Sequence, residues 1–130
     1  MEFKFEKTLV SETELKQIED LCGYAIPAEL RNIILAHNGA AILFKNLALD
    51  SLISFSASDE GNVYTVMSFL KENRVENLLP FATDENGDLF CLRKKDANST
   101  PEVALLRVKF FMICTLFSSF SEFLTSLENG

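Results

Sequence analysis

Two short apolar runs, Leu78–Ala82 and Leu89–Leu92, face each other across six polar residues, Thr83-Asp84-Glu85-Asn86-Gly87-Asp88. A parallel crossover needs about a dozen residues or more, so these runs can only pair as an antiparallel hairpin. The Asn86-Gly87 pair strengthens the expectation, because both residue types tolerate positive φ. Glu102–Val108 reads as a further strand and Phe110–Leu116 as another, so the second half of the chain predicts a hairpin sheet.

Helical signals lie on either side of it. Ser11-Glu12-Thr13-Glu14 spells a capping box, with Val10 and Leu15 placed as its hydrophobic staple. Leu15, Ile18, Leu21 and Cys22 follow at helical spacing, and Gly23 supplies a left-handed stop. Pro27 opens a second helix, where its missing N–H costs nothing. Leu30, Ile33, Ile34 and His37 share one face of it, and Asn38-Gly39 ends it. Val63, Val66, Met67 and Leu70 mark a third helix. A second capping box, Ser119-Phe120-Ser121-Glu122, starts a closing helix whose inward stripe is Phe120, Phe123, Leu124 and Leu127, with Asn129-Gly130 at its end. Phe3 and Phe5 alternate with charged residues in a short first strand or arm. Ala40–Ile53 reads as an extended segment ending in a strand, Asp59-Glu60-Gly61-Asn62 as a loop, and Lys94–Pro101 as a polar loop. The β-α-β alternation of a parallel sheet is missing, so the class is α+β.

The 130 residues make one domain, 1–130, of a size that buries roughly two-thirds of its unfolded surface. Apolar residues form 48% and charged residues 24%, which argues against disorder, collagen and coiled coil. With 12 Phe and no Trp, the core should be Phe-rich. The net charge of −7 disfavours direct binding of nucleic acid or anionic membrane and suits a basic protein partner. Cys22, Cys91 and Cys114 fit no disulfide framework and read as buried free thiols of a reducing compartment. The segment MEFKFEKTLV has no apolar signal region, and the longest apolar run, Phe110–Phe117, is too short to cross a bilayer. Asn98-Ser99-Thr100 is a chance glycosylation sequon in a chain expected in the cytoplasm.

Catalytic constellations find no support. His37, the single histidine, lies in a last helical turn, where helix-end carbonyls and the macrodipole are its expected partners. One histidine and scattered cysteines leave a zinc site without ligands. Asp84-Glu85-Asn86-Gly87-Asp88 resembles the start of a calcium loop, but its glycine is two positions early and Lys95 stands where the bidentate glutamate is required. A surface-exposed acidic hairpin is expected instead. Glycines are too sparse for a phosphate-binding loop, and no serine sits in a nucleophile elbow. The basic cluster Arg93-Lys94-Lys95, with Arg107 and Lys109, reads as a solvated strand end.

Three blocks carry a family resemblance. GYAIPAELRNIILAHNG, Gly23 to Gly39, resembles the N-terminal signature of the SUKH superfamily (Smi/Knr-like): a glycine, an apolar-Pro pair at Ile26-Pro27, an amphipathic helix and a terminal Asn38-Gly39. LLPFATDENGDLFCL, Leu78 to Leu92, is similar to its Leu-Pro-Phe-Ala strand, acidic turn and following strand. SSFSEFLTSL, Ser118 to Leu127, is similar to its closing helix. Ala40 stands where many members have a second glycine. The resemblance implies a largely antiparallel sheet with helices packed against it, Pro27, Asn38, Gly39, Pro80, Gly87, Asp88 and Phe120 as scaffold positions, and no catalytic residue or cofactor. It also implies a bacterial immunity protein of a polymorphic toxin system, which binds and neutralises a cognate toxin domain, often a nuclease. The alternative is a regulatory or binding module of the same fold that recognises an endogenous protein or small ligand. The expected partner-binding residues are the loop acids Asp59, Glu60, Asp84, Glu85 and Asp88.

Overall fold

Seven strands pair in the order in which the chain makes them, every neighbour antiparallel. They are β1 (Glu2–Lys4), β2 (Ala41–Leu43), β3 (Leu49–Leu52), β4 (Leu78–Asp84), β5 (Leu89–Arg93), β6 (Glu102–Arg107) and β7 (Met112–Phe117). Helices α1 (Glu12–Cys22) and α2 (Ala28–His37) come between β1 and β2, α3 (Val63–Glu72) comes between β3 and β4, and α4 (Phe120–Asn129) closes the chain. The computed structural model describes residues 2–23, 25–43, 49–94 and 100–129. The α+β class and the largely antiparallel sheet are as the sequence predicts. Ala40–Ile53 holds two strands rather than one. Residues 95–99, with Lys95 and most of the Asn98-Ser99-Thr100 sequon, lie outside the described residues.

The predicted hairpin is the middle of the sheet. Leu79 lies opposite Leu92, and Leu92 opposite Val103. β4 is buried at every position but Thr83, and β5 at every position but Arg93, so both faces of the sheet are covered at its centre. A proline in such a strand needs a place without a ladder donor. Pro80 has one, since the register shifts between Pro80 and Ala82. Over β6 and β7 lies α4, which also touches α2, while α3 packs against β4. The ring of Phe123 stands 5.4–5.7 Å from those of Phe81, Phe90, Phe117 and Phe120, so the expected Phe stripe is core.

Local chemistry explains the helix ends. The Ser11 hydroxyl accepts the Glu14 N–H at 3.2 Å while the Glu14 carboxylate accepts the Ser11 N–H at 3.1 Å, a complete capping box, and Gly23 closes α1 at φ +85°. Leu21 departs from expectation: it is 64% exposed, and the buried position on that turn is Glu19. Burial pushes the Glu19 carboxyl up. Its ion pair with Arg31 at 2.6 Å and the Ile26 N–H at 2.6 Å outweigh that and hold it below the usual carboxylate range. This pair ties α1 to α2. Asn62, expected only in a loop, caps α3 by accepting the Thr65 N–H at 3.1 Å. At α4 the box is half made. Ser119 Oγ accepts the Glu122 N–H, but the Glu122 carboxylate takes the Ser118 hydroxyl.

The cysteines divide by position. Cys91 is fully buried as expected, and burial pushes its thiol well above the ordinary value; Cys22 is only half-buried, and Cys114 is exposed, against expectation. No helix among the described residues is long and apolar enough to cross a membrane.

Candidate functional site

The expected binding residues fall into two segments, each built around an aspartate that holds backbone. The first begins where α2 ends. Asn38 at φ −49°, ψ 126° and Gly39 at φ +68° form a type II turn, closed by the Ala40 N–H on the His37 carbonyl at 3.0 Å. The turn buries the Asn38 side chain, whose Nδ2 donates to the Thr8 carbonyl (2.7 Å) and Ser54 Oγ (2.9 Å). Its Oδ1 accepts the Phe55 N–H at 2.7 Å. Ser54 Oγ in turn donates to Asp59 at 2.6 Å, and Thr8 donates to Asp59 through its hydroxyl at 2.7 Å and its N–H at 3.1 Å. These hydrogen bonds from Ser54 and Thr8 hold the Asp59 carboxyl below the usual range. Asp59 therefore fastens the N-terminal arm to the loop after β3.

The second segment is the β4–β5 turn. Asp84 Oδ1 accepts the Asn86 N–H at 2.8 Å and the Asp88 N–H at 2.9 Å, an Asx turn inside the hairpin. Gly87 takes φ +81°, and Asn86 keeps a negative φ, so one residue of the pair uses the left-handed region, not two. Asp88 reaches to the next hairpin, accepting the Val108 N–H at 3.0 Å and the Arg107 Nε at 2.9 Å. Asp84 and Asp88 are both buried. The hairpin is thus solvated only at its tip, Glu85-Asn86-Gly87, and Arg107, exposed as a strand end is expected to be, is paired with Asp88.

Glu60 and Glu85 are the members of the set that stand exposed. Glu60 lines an open groove of about 360 Å³ with Phe5, Lys7, Ser51 and Thr83, and Glu85 sits at the hairpin tip. Among the described residues no hydrogen bond or ion pair joins the two segments. His37 lies in the last turn of α2 as expected. Its ring, however, stacks on Phe3 at 4.1 Å and its Nδ1 lies 2.6 Å from Glu6, so it clasps the arm rather than the helix-end carbonyls. No group of three metal-ligating side chains occurs among the described residues. Nor does any buried side-chain nitrogen or oxygen among them lack a partner.

What the polar residues do here is build turns, and the turn-forming blocks recur in the right order along the chain. The pattern of the SMI1/KNR4 family (SUKH-1) matches residues 9–126, from just before the α1 capping box to the last turns of α4. The chain belongs to that family. No curated protein matches it in sequence. SUKH domains are generally of the immunity type and non-enzymatic, and are associated with toxin pairing. The Asn38-Gly39 turn and the Asp84–Asp88 hairpin both lie within the matched stretch, and both hold backbone. Sequence reasoning missed Glu19, Thr8 and Ser54. The first had a legible signal, an acid at the i+4 position from Leu15 on the inward face.

Proposed function

We propose that this chain is a non-enzymatic immunity protein that binds and neutralises a cognate toxin domain in the bacterial cytoplasm. The observation that carries the reading is the SUKH match over residues 9–126. The internal use of Asn38, Asp59, Asp84 and Asp88 supports it, because the side chains that would be candidates for chemistry are engaged in holding backbone. A basic nuclease is the toxin class that a chain of net charge −7 suits.

Within the proposed binding set, Glu60 and Glu85 offer their carboxylates to the partner, while Asp59, Asp84 and Asp88 fix the loops that present them. Inhibition follows from covering the toxin's substrate groove, with no bond made or broken. Co-expression with the toxin-like chain encoded beside it should restore growth and yield a purified complex. Growth arrest with no complex would overturn the reading, and a gene neighbourhood without any toxin-like chain would favour a regulatory module of the same fold.

A further inference from the structure

The two edges of the sheet are built differently. At one edge, β1 is three residues long, carries Glu2 and Lys4, and is broken off by Phe5 at φ +58°. Short, charged and kinked edges are how a sheet avoids pairing with another chain. At the other edge, β7 is six residues long and carries no charge. Its hairpin leaves Phe110 64%, Met112 63%, Leu116 40% and Ile113 38% exposed, with Phe111 and Cys114 open beside them. These side chains are shared between the two faces of the edge strand, Met112, Cys114 and Leu116 on one and Ile113 on the other, and together leave apolar surface on the order of 500 Å² open.

We propose that β7 pairs antiparallel with β7 of a second copy of this chain, joining two seven-stranded sheets across a two-fold axis. Three observations select a second copy. The run from Phe110 to Ser121 holds no ionisable carboxyl or amine, so self-pairing sets no like charges opposite each other. Lys109 lies in the turn before the strand and Glu122 in the first turn of α4 after it, so antiparallel pairing sets the basic end of one copy towards the acidic end of the other, and parallel pairing would set like ends together. The area fits as well. A standard interface takes about 800 Å² per partner, and edge pairing covers part of the exposed apolar surface on both faces of the joined sheet while the backbone groups of both strands add hydrogen bonds.

A two-fold axis through antiparallel strands sets one residue opposite itself. With the two most exposed large apolar side chains of β7, Met112 and Leu116, set opposite each other, that residue is Cys114. Opposed Cα atoms lie about 4.5–5.5 Å apart, within the span of a disulfide. Cys114 therefore reports the register, since diamide can oxidise two facing thiols to one disulfide.

The test uses the full chain. Sedimentation over a concentration series should show a monomer–dimer equilibrium that tightens with added salt, because salt screens the repulsion between two chains of charge −7. Met112→Lys and Leu116→Lys, each at an exposed position, should weaken association about tenfold or more while melting curves confirm the fold. Both lower the net negative charge, so added repulsion cannot explain the loss. Diamide should cross-link the native chain and Cys22→Ser, but not Cys114→Ser. A monomer throughout, a dimer indifferent to both lysines, or a dimer without Cys114-dependent cross-linking would each overturn the proposal.

Discussion

At Gly39 two separate terms oppose a side chain. The backbone sits at φ +68°, and an added Cβ would lie 2.3 Å from Lys7 Cγ, where the arm crosses the turn. Gly87 has the first problem only, with open space around it at φ +81°. Gly87→Ala should therefore cost about 1–2 kcal/mol, the ordinary penalty of the left-handed region. Gly39→Ala should cost clearly more, and urea denaturation of both variants gives the comparison. Lys7→Ala should recover part of the Gly39→Ala loss, since it removes the Cγ contact and leaves the φ strain and the 2.8 Å approach to the Lys7 Cβ. The acids make a second residue-scale prediction. Glu19 and Asp59 both have folded-state carboxyls held below their ordinary values of 4.5 and 3.8. A depressed acid contributes stability that is full above its unfolded value and is lost as pH falls through the folded one. Stability should thus hold steady at neutral pH and decline below 4.5, then more steeply below 3.8. Urea midpoints for Glu19→Gln should fall at pH 7 and show a shallower acid decline.

Among the elements, α4 depends most on one side chain. Phe123 touches rings from β4, β5 and β7, so Phe123→Ala should cost about 3–5 kcal/mol and loosen the helix from the sheet. Loss of near-ultraviolet signal with an earlier melt would check it. Elements of this kind were legible because their signals are local: a capping box at Ser11, a stripe at Phe120, Phe123 and Leu127, and a short polar linker between Leu78–Ala82 and Leu89–Leu92. What escaped depends on distant contacts. Leu21 and Cys114 are apolar by type and exposed by position, since α1 turns Glu19 inward toward Arg31 and, among the described residues, β7 has no neighbour beyond it in the sheet. Asp88 reads as a solvated acid because nothing in six residues announces that Val108 and Arg107 will come to meet it. The Asx turn at Asp84 was the one local hint, an aspartate two residues ahead of an amide it can accept.

For the whole molecule, charge and the open edge make opposite demands on salt. If Glu60 and Glu85 steer a basic partner, association with the toxin domain should slow as ionic strength rises, because exposed charges beyond about 8–10 Å are screened. The double reversal Glu60→Lys with Glu85→Lys should slow association about threefold to tenfold at low salt and flatten that dependence, with little change in melting temperature, since both side chains are exposed. Asp88→Asn tests the other half of the acidic set. It removes the charge that pairs with Arg107 at 2.9 Å, so stability should fall by about 1–3 kcal/mol with a much smaller effect on the on-rate. Stopped-flow binding at two ionic strengths, beside melts of the same samples, separates the roles. An on-rate equally insensitive to Glu60, Glu85 and salt would move the toxin contact away from these loops, and were it to fall on the uncharged β7 edge, self-association and toxin binding would compete.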